Sequence, residues 1–267
     1  MERTRLAQQT YVVGAGKGGV GKSTVAVNLA AALANRGRSV GILDADVYGP
    51  SIPIMMGLRR LSPQVARRSD GSECVVPFSK FGVRALSIGF FMEEARSVIW
   101  RGPILHSTLE RMVKEVDWGE LDDLIIDLPP GTGDVQISLS QLLHIDGAIL
   151  VCTPQEVAML DAIKAANAFS HLEIPLVGVV ENMAGFRPPG SDETFHIFGQ
   201  GKAEELALRF NTQVLASLPI DPDLRIGADE GRPPAYYSSQ NGIGKHFADL
   251  AENLCMREQA LASNPFA

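Results

Sequence analysis

Cysteine is scarce in this chain. Cys74, Cys152 and Cys255 are three thiols among 267 residues and form no CxxC pair. That excludes a disulfide framework and a local metal-knuckle motif, and it points to a reducing compartment. Long apolar runs are missing too: none approaches the ~18 residues that cross a bilayer. No apolar stretch follows Met1-Glu2-Arg3-Thr4-Arg5, so neither a secretory signal nor a membrane anchor is expected and the cytoplasm is the expected compartment. Basic charge is in short supply, with 24 Lys and Arg against 31 Asp and Glu for a net charge of −7. A molecule of that sign repels a phosphate backbone, so general nucleic-acid binding is not expected. Arg59, Arg60, Arg67 and Arg68 form only a local cluster, read as a solvated loop face; salt-sensitive retention on DNA would overturn that reading. There is no internal repeat and no low-complexity tract.

What the chain does have is alternation. Strand-like apolar runs at 10–13, 39–43, 83–88, 124–126, 148–152, 176–180 and 214–218 are separated by helical patterns. Several are continuous in Val, Ile and Leu, as strands covered on both faces are. Leu105, Leu109, Met112, Val113 and Val116 recur at helical spacing, as do Ile243, Phe247, Leu250, Ala251 and Leu254. Residues 23–36 are rich in Ala and Leu and stop at Gly37, a good helix terminator. This rhythm predicts one α/β domain over 1–267, with a short lead at 1–9 and a flexible tail at 257–267. The expected fold is a doubly wound, mostly parallel sheet with helices on both faces and ligands beyond the carboxyl ends of the strands. Two stretches break the rhythm: 50–82, expected as a surface loop or mobile cover, and the polar excursion 185–199 (GFRPPGSDETFHIFG).

Directly after the first strand comes Gly14-Ala15-Gly16-Lys17-Gly18-Gly19-Val20-Gly21-Lys22-Ser23-Thr24. Residues 16–23 fit GxxxxGK[ST], the phosphate-binding loop. Its glycines let backbone N–H groups curl around an anion at a helix N-terminus, where the helix dipole also favours negative charge. Lys22 is expected on the β and γ phosphates, the Ser23 hydroxyl on Mg²⁺, and Thr24 on the α phosphate. Gly14, Gly16 and Gly19 also satisfy GxGxxG, and Asp44 lies where a dinucleotide fold keeps its ribose acid. That competing oxidoreductase reading requires neither Lys22-Ser23 nor a carboxylate at the end of a later strand, and this chain has both. NADH against ATP binding separates the two. Lys17 puts a second ammonium into the loop, beside Lys22, an arrangement that is repulsive unless a polyanion lies between them. Its expected role is to neutralise charge developing at the γ phosphate.

Carboxylates close two of the strands. In Leu43-Asp44-Ala45-Asp46, Asp44 is the candidate for the outer metal shell and Asp46 for orienting an attacking water. In Ile125-Ile126-Asp127-Leu128-Pro129-Pro130-Gly131-Thr132-Gly133-Asp134, an apolar strand ends in Asp127, the expected Mg²⁺ holder. Gly131 and Gly133 are the candidate switch, able to sense the γ phosphate through a backbone N–H. Asn182 closes a later strand and can read an adenine edge, since an amide both donates and accepts. Pro219 and Asp221, after another strand, can wall the base.

Taken together, GKGGVGKST, LDADVYGPSIP, IIDLPPGTGD, TPQEVAMLDA and the ENM, HIFG and LPIDP segments resemble the Mrp/NBP35/ApbC group of iron–sulfur cluster carrier ATPases. These belong to the deviant Walker A class that includes MinD and ParA. The resemblance spans about residues 10–255. It implies a homodimer that binds ATP and Mg²⁺ and hydrolyses ATP slowly with stimulation by partners, in the service of iron–sulfur assembly or client proteins. It also implies that Lys17 acts across the interface on the partner's nucleotide, that 18–24 cradle phosphate, and that Asn182 and Pro219 border the adenine. One departure stands out. Members that carry a [4Fe–4S] cluster usually have CxxC just after the ENM strand, and here Pro188 and Ser191 occupy those positions. Neither supplies a thiolate, so the usual cluster site cannot form. Cys152 and Cys255 read as core packing; Cys74, in a polar loop, is expected to be exposed and is the one remaining candidate ligand. An adaptor role follows as an expectation. The alternative is a MinD- or ParA-like positioning switch, although the tail after residue 255 has only Arg257 as a base and no amphipathic basic helix.

Overall fold

The computed structural model describes residues 3–91 and 102–263. All seven expected strands form, as β1 (Gln9–Gly14), β2 (Val40–Asp44), β6 (Val83–Ser87), β7 (Asp123–Asp127), β8 (Gly147–Cys152), β9 (Leu176–Phe186) and β10 (Val214–Ile220). With β5 (Phe78–Lys80) they make one eight-stranded sheet in the order β10-β9-β8-β1-β7-β2-β6-β5. Every neighbouring pair is parallel except β5 against β6.

The continuous apolar runs have a simple cause. Side chains alternate across a strand, and here both faces are covered. Val12, Leu43, Leu124, Ile126 and Leu150 enter one core, under α3 (Gly102–Lys114), α4 (Asp134–Leu142), α5 (Glu156–His171) and α6 (Lys202–Arg209). Val13, Ile42, Ile125, Ile149 and Val151 enter the other, under α1 (Lys22–Asn35) and α9 (Gly242–Ser263). This is a doubly wound fold.

Two expectations need correction. The stretch 50–82 is not an irregular loop: it contains α2 (Ile52–Met55), the antiparallel hairpin of β3 (Gln64–Arg67) with β4 (Glu73–Val76), and edge strand β5. All four β3 residues are exposed, so it has none of the in-and-out patterning by which a half-buried strand is recognised. Cys74 is not exposed either. Alternation along β4 turns it inward, beside exposed Glu73, to 3% exposure. Of the expected tail, 257–263 continue helix α9; 264–267 lie outside the described residues. At the other end, 1–2 lie outside the described residues, while Thr4 pairs with Leu143 and Arg5 forms an ion pair with Asp146 at 3.1 Å. The excursion 185–199 is partly ordered: β9 runs into it and Phe186 pairs antiparallel with Phe195. Two short helices, α7 (Pro222–Glu230) and α8 (Pro234–Tyr237), lead into α9.

Candidate functional site

The strand order turns at β1, whose neighbours β7 and β8 come far later in the chain, and a crevice opens beyond its carboxyl end. The loop 15–21 lies there, leading into α1. Two glycines are required by geometry. At Gly16 a Cβ would run into the backbone of Asp161 and Ala162 on α5, and the neighbour is too rigid to give way. Gly21 caps α1 at φ 87, in the left-handed region, and a Cβ there would strike the Asn182 amide. The cleft, about 180 Å³ and open to solvent, is lined by Lys17, Lys22, Ser23, Thr24, Asp46 and Pro130 among others. Met55, on the short helix α2, also lines it; no spacing in the sequence marked that residue.

Register explains the acidic cluster under this loop. Asp44 is paired directly with Asp127 across β2 and β7, and Asp127 with Val13 across β7 and β1. Lys22 reaches into the cluster: its Nζ lies 2.6 Å from Asp127 Oδ1, 3.2 Å from Ser23 Oγ and 3.5 Å from Asp46 Oδ2. Asp127 is fully buried, and its Oδ2 has no hydrogen-bond partner among the described residues. Burial pushes the Asp127 carboxyl up, and the Lys22 ammonium pulls against that shift. Asp46 is held in place by the N–H groups of Tyr48 and Gly49, which donate to its Oδ1 at 3.2 and 3.1 Å.

Asp44 accepts from the Ser87 hydroxyl at 2.9 Å and from the N–H groups of Asp46 and Ile52 at 3.1 and 3.2 Å. Burial, then the neighbouring Asp127 carboxylate, pushes its carboxyl up to about 8, and these hydrogen bonds resist only in part. A group whose folded pKa is raised keeps its proton in the native state after the unfolded chain has lost its own. Its contribution to stability is complete below the ordinary carboxylate range, ~4, and is lost as pH rises toward 8. Asp44→Asn is therefore expected to flatten the decline of the urea midpoint between pH 5 and pH 8. Parallel pH profiles for the two proteins would show that Asp44 is ionised throughout.

The remaining candidates divide. Lys17 is half-buried at the rim, its Nζ 3.3 Å from Gln155 Oε1, a partner the sequence did not suggest. Asn182 lies within β9 rather than at a strand end as expected, and it is buried and donates to the Val20 carbonyl at 2.8 Å, which braces the phosphate loop. Asp221 caps α7 by accepting from Asp223 N–H at 2.7 Å. Neither Pro219 nor Asp221 lines the cleft. Gly131 does not present a free N–H, since it donates to the Ala15 carbonyl at 2.9 Å; Gly133, at the N-terminus of α4, is exposed. Cys74, Cys152 and Cys255 are buried in β4, β8 and α9. Among the described residues no group of three or more His, Cys, Asp and Glu side chains is disposed to hold a metal. Magnesium is a different case. The Ser23 hydroxyl and the orphaned Asp127 Oδ2 are two oxygen donors that fit such an ion, and phosphate oxygens and water would complete the shell it prefers. No helix among the described residues is long and apolar enough to cross a membrane.

Residues 7–255 match the family model described as ParA, NUBPL iron-transfer P-loop NTPase. An iron–sulfur cluster carrier protein of Aquifex aeolicus is 46% identical over 91% of the chain. An iron–sulfur protein required for NADH dehydrogenase, mitochondrial, of Arabidopsis thaliana is 43% identical over 98% of it. The chain spans 66% of the length of the first and 83% of the second. Among solved structures, a nucleotide-binding protein from Archaeoglobus fulgidus in complex with ADP superposes with a TM-score of 0.74 at 36% identity, covering 90% of this chain and 94% of that one.

Proposed function

This chain belongs to the NUBPL iron-transfer P-loop NTPase family, and from that premise we propose that it binds Mg-ATP in the cleft, hydrolyses it as a homodimer, and serves iron–sulfur cluster transfer as an adaptor. The observation that carries the reading is the buried contact of Lys22 with Asp127, 2.6 Å long, directly beneath a glycine loop open to solvent. A lysine neutralised by an acid beneath an anion-binding loop is able to exchange that acid for phosphate oxygens. The released carboxylate then faces Ser23, and these two groups would hold Mg²⁺. When bound, the metal screens charge on the β and γ phosphates. The loop's backbone N–H groups orient the phosphates, and Asp46, fixed by two backbone donors, orients water at the γ phosphate.

The cluster enters this reading as cargo. The carrier names belong to the relatives, and Pro188 and Ser191 stand where a CxxC is expected. The buried, dispersed cysteines support a protein that works on a cluster held elsewhere. Calorimetry with Mg-ATP, together with anaerobic reconstitution with iron and sulfide followed by gel filtration, tests both halves. The expected result is one nucleotide per chain and no stoichiometric iron retained. A cleft indifferent to Mg-ATP would remove the ATPase reading, and iron surviving filtration at cluster stoichiometry would make the chain a carrier in its own right.

A further inference from the structure

We propose that Gln136 is a positioning residue that makes the loop after β7 respond to the third phosphate of a nucleoside triphosphate, an inference that rests on the nucleotide-binding reading above. Gln136 lies in the first turn of α4 at 3% exposure. Its Nε2 donates to the Gly131 carbonyl at 2.6 Å. The Gly131 N–H in turn donates to the carbonyl of Ala15, where the phosphate loop begins, at 2.9 Å. One chain of hydrogen bonds thus links α4, the loop and the phosphate-binding backbone, with Pro130 on the wall of the cleft beside it. The orientation of the amide follows from chemistry, because a carbonyl accepts only from the NH₂ end.

The other end of that amide is unfinished. Gln136 Oε1 is buried and has no donor among the described residues. Buried acceptors are nearly always paired, since an unpaired one loses its hydration without compensation. The arrangement seen here therefore uses one of the two hydrogen-bonding ends of Gln136 and commits the Gly131 N–H to Ala15. An anion at the far end of the cleft competes with the Ala15 carbonyl for that N–H. Once Gly131 is drawn away, the exposed segment of Thr132 and Gly133 is free to bring a backbone N–H to Oε1. A diphosphate is one group shorter and leaves the loop as it is. Gln136 thereby favours the triphosphate arrangement by one buried hydrogen bond without touching the nucleotide.

Hydrogen exchange of the segment 128–137 in the wild-type protein, with Mg-ADP and with Mg-AMPPNP, is the first test. Protection is expected to rise at least about fivefold with AMPPNP over ADP. Equal exchange in the two complexes overturns the proposal without any variant. Gln136→Met, which keeps the side-chain length but not the hydrogen bonds, is expected to leave the Kd for Mg-ADP within about twofold. Its Kd for Mg-AMPPNP should rise about tenfold, the weight of one hydrogen bond to a buried group. An unchanged ratio of the two affinities in a folded variant, or an equal loss of both, refutes the positioning role. Failure of the wild type to bind either nucleotide would instead remove the ATPase reading on which it rests.

Discussion

Lys22→Met is expected to abolish hydrolysis and to destabilise the fold as well, two losses with one origin. The Lys22 ammonium sits at 7% exposure between Asp127 and Asp46. Removing it takes away the charge that would meet the β and γ phosphates. By analogy with the loss of one preorganised donor, that costs a factor of about 10²–10³ in turnover. It also leaves Asp127 fully buried beside Asp44 with no cation against it. Stranding one member of a buried ion pair typically costs ~3–5 kcal/mol, much more than an exposed pair is worth. The two losses separate in a double variant. In Lys22→Met with Asp127→Asn the unpaired charge is gone, so most of the lost stability should return while hydrolysis stays absent. Urea unfolding and phosphate release measured on the wild type, both single variants and the double variant form the cycle. Stability that is unaffected in the single lysine variant would mean that the buried contact is not an ion pair.

The stability of that contact depends on register as much as on composition, and this marks where the sequence was legible. Continuous runs such as Leu124-Ile125-Ile126 announce strands buried on both faces, and the two cores take them in strict alternation. The carboxylates at strand ends were therefore readable as site residues before any geometry. The parallel register that seats Asp44 beside Asp127 was not, because pairing between strands leaves no local trace. Short elements were lost for a related reason. The hairpin of β3 and β4 is exposed along one whole strand, so it has no apolar period, and its Gly, Ser and Arg content looks like a loop. Cys74 was misplaced with it. Asn182 shows a subtler limit: it was marked as closing a strand, but β9 runs on to Phe186, and its partner is the Val20 backbone, 162 residues away in sequence. Gln136 and Gln155 were missed because a lone amide on a helix start or cap has no motif; only their contacts with the two loops single them out.

Lys17→Ala should leave ADP binding nearly intact and reduce hydrolysis by about 10³-fold, the lower end of what a charge placed on a transferring phosphoryl group contributes. The two lysines of the loop differ in a way that supports this split. Lys22 is buried and has two acids within 3.5 Å, so it is part of the floor of the cleft. Lys17 is half-buried at the rim and donates to Gln155 at 3.3 Å, an amide oxygen that does not balance an ammonium. A rim cation without a counter-charge among the described residues suits a phosphate that arrives from outside its own loop. If Lys17 serves the partner's nucleotide, defects at the two lysines complement each other. In a heterodimer of Lys17→Ala with Lys22→Ala, one cleft retains its own Lys22 and receives Lys17 from across the interface. Random mixing makes half of the dimers heterodimers with one competent cleft of two, so about a quarter of wild-type turnover should return. Phosphate release from an equimolar mixture, compared with each variant alone, reads this directly. Turnover no greater than the average of the separate variants would place Lys17 on its own chain's nucleotide.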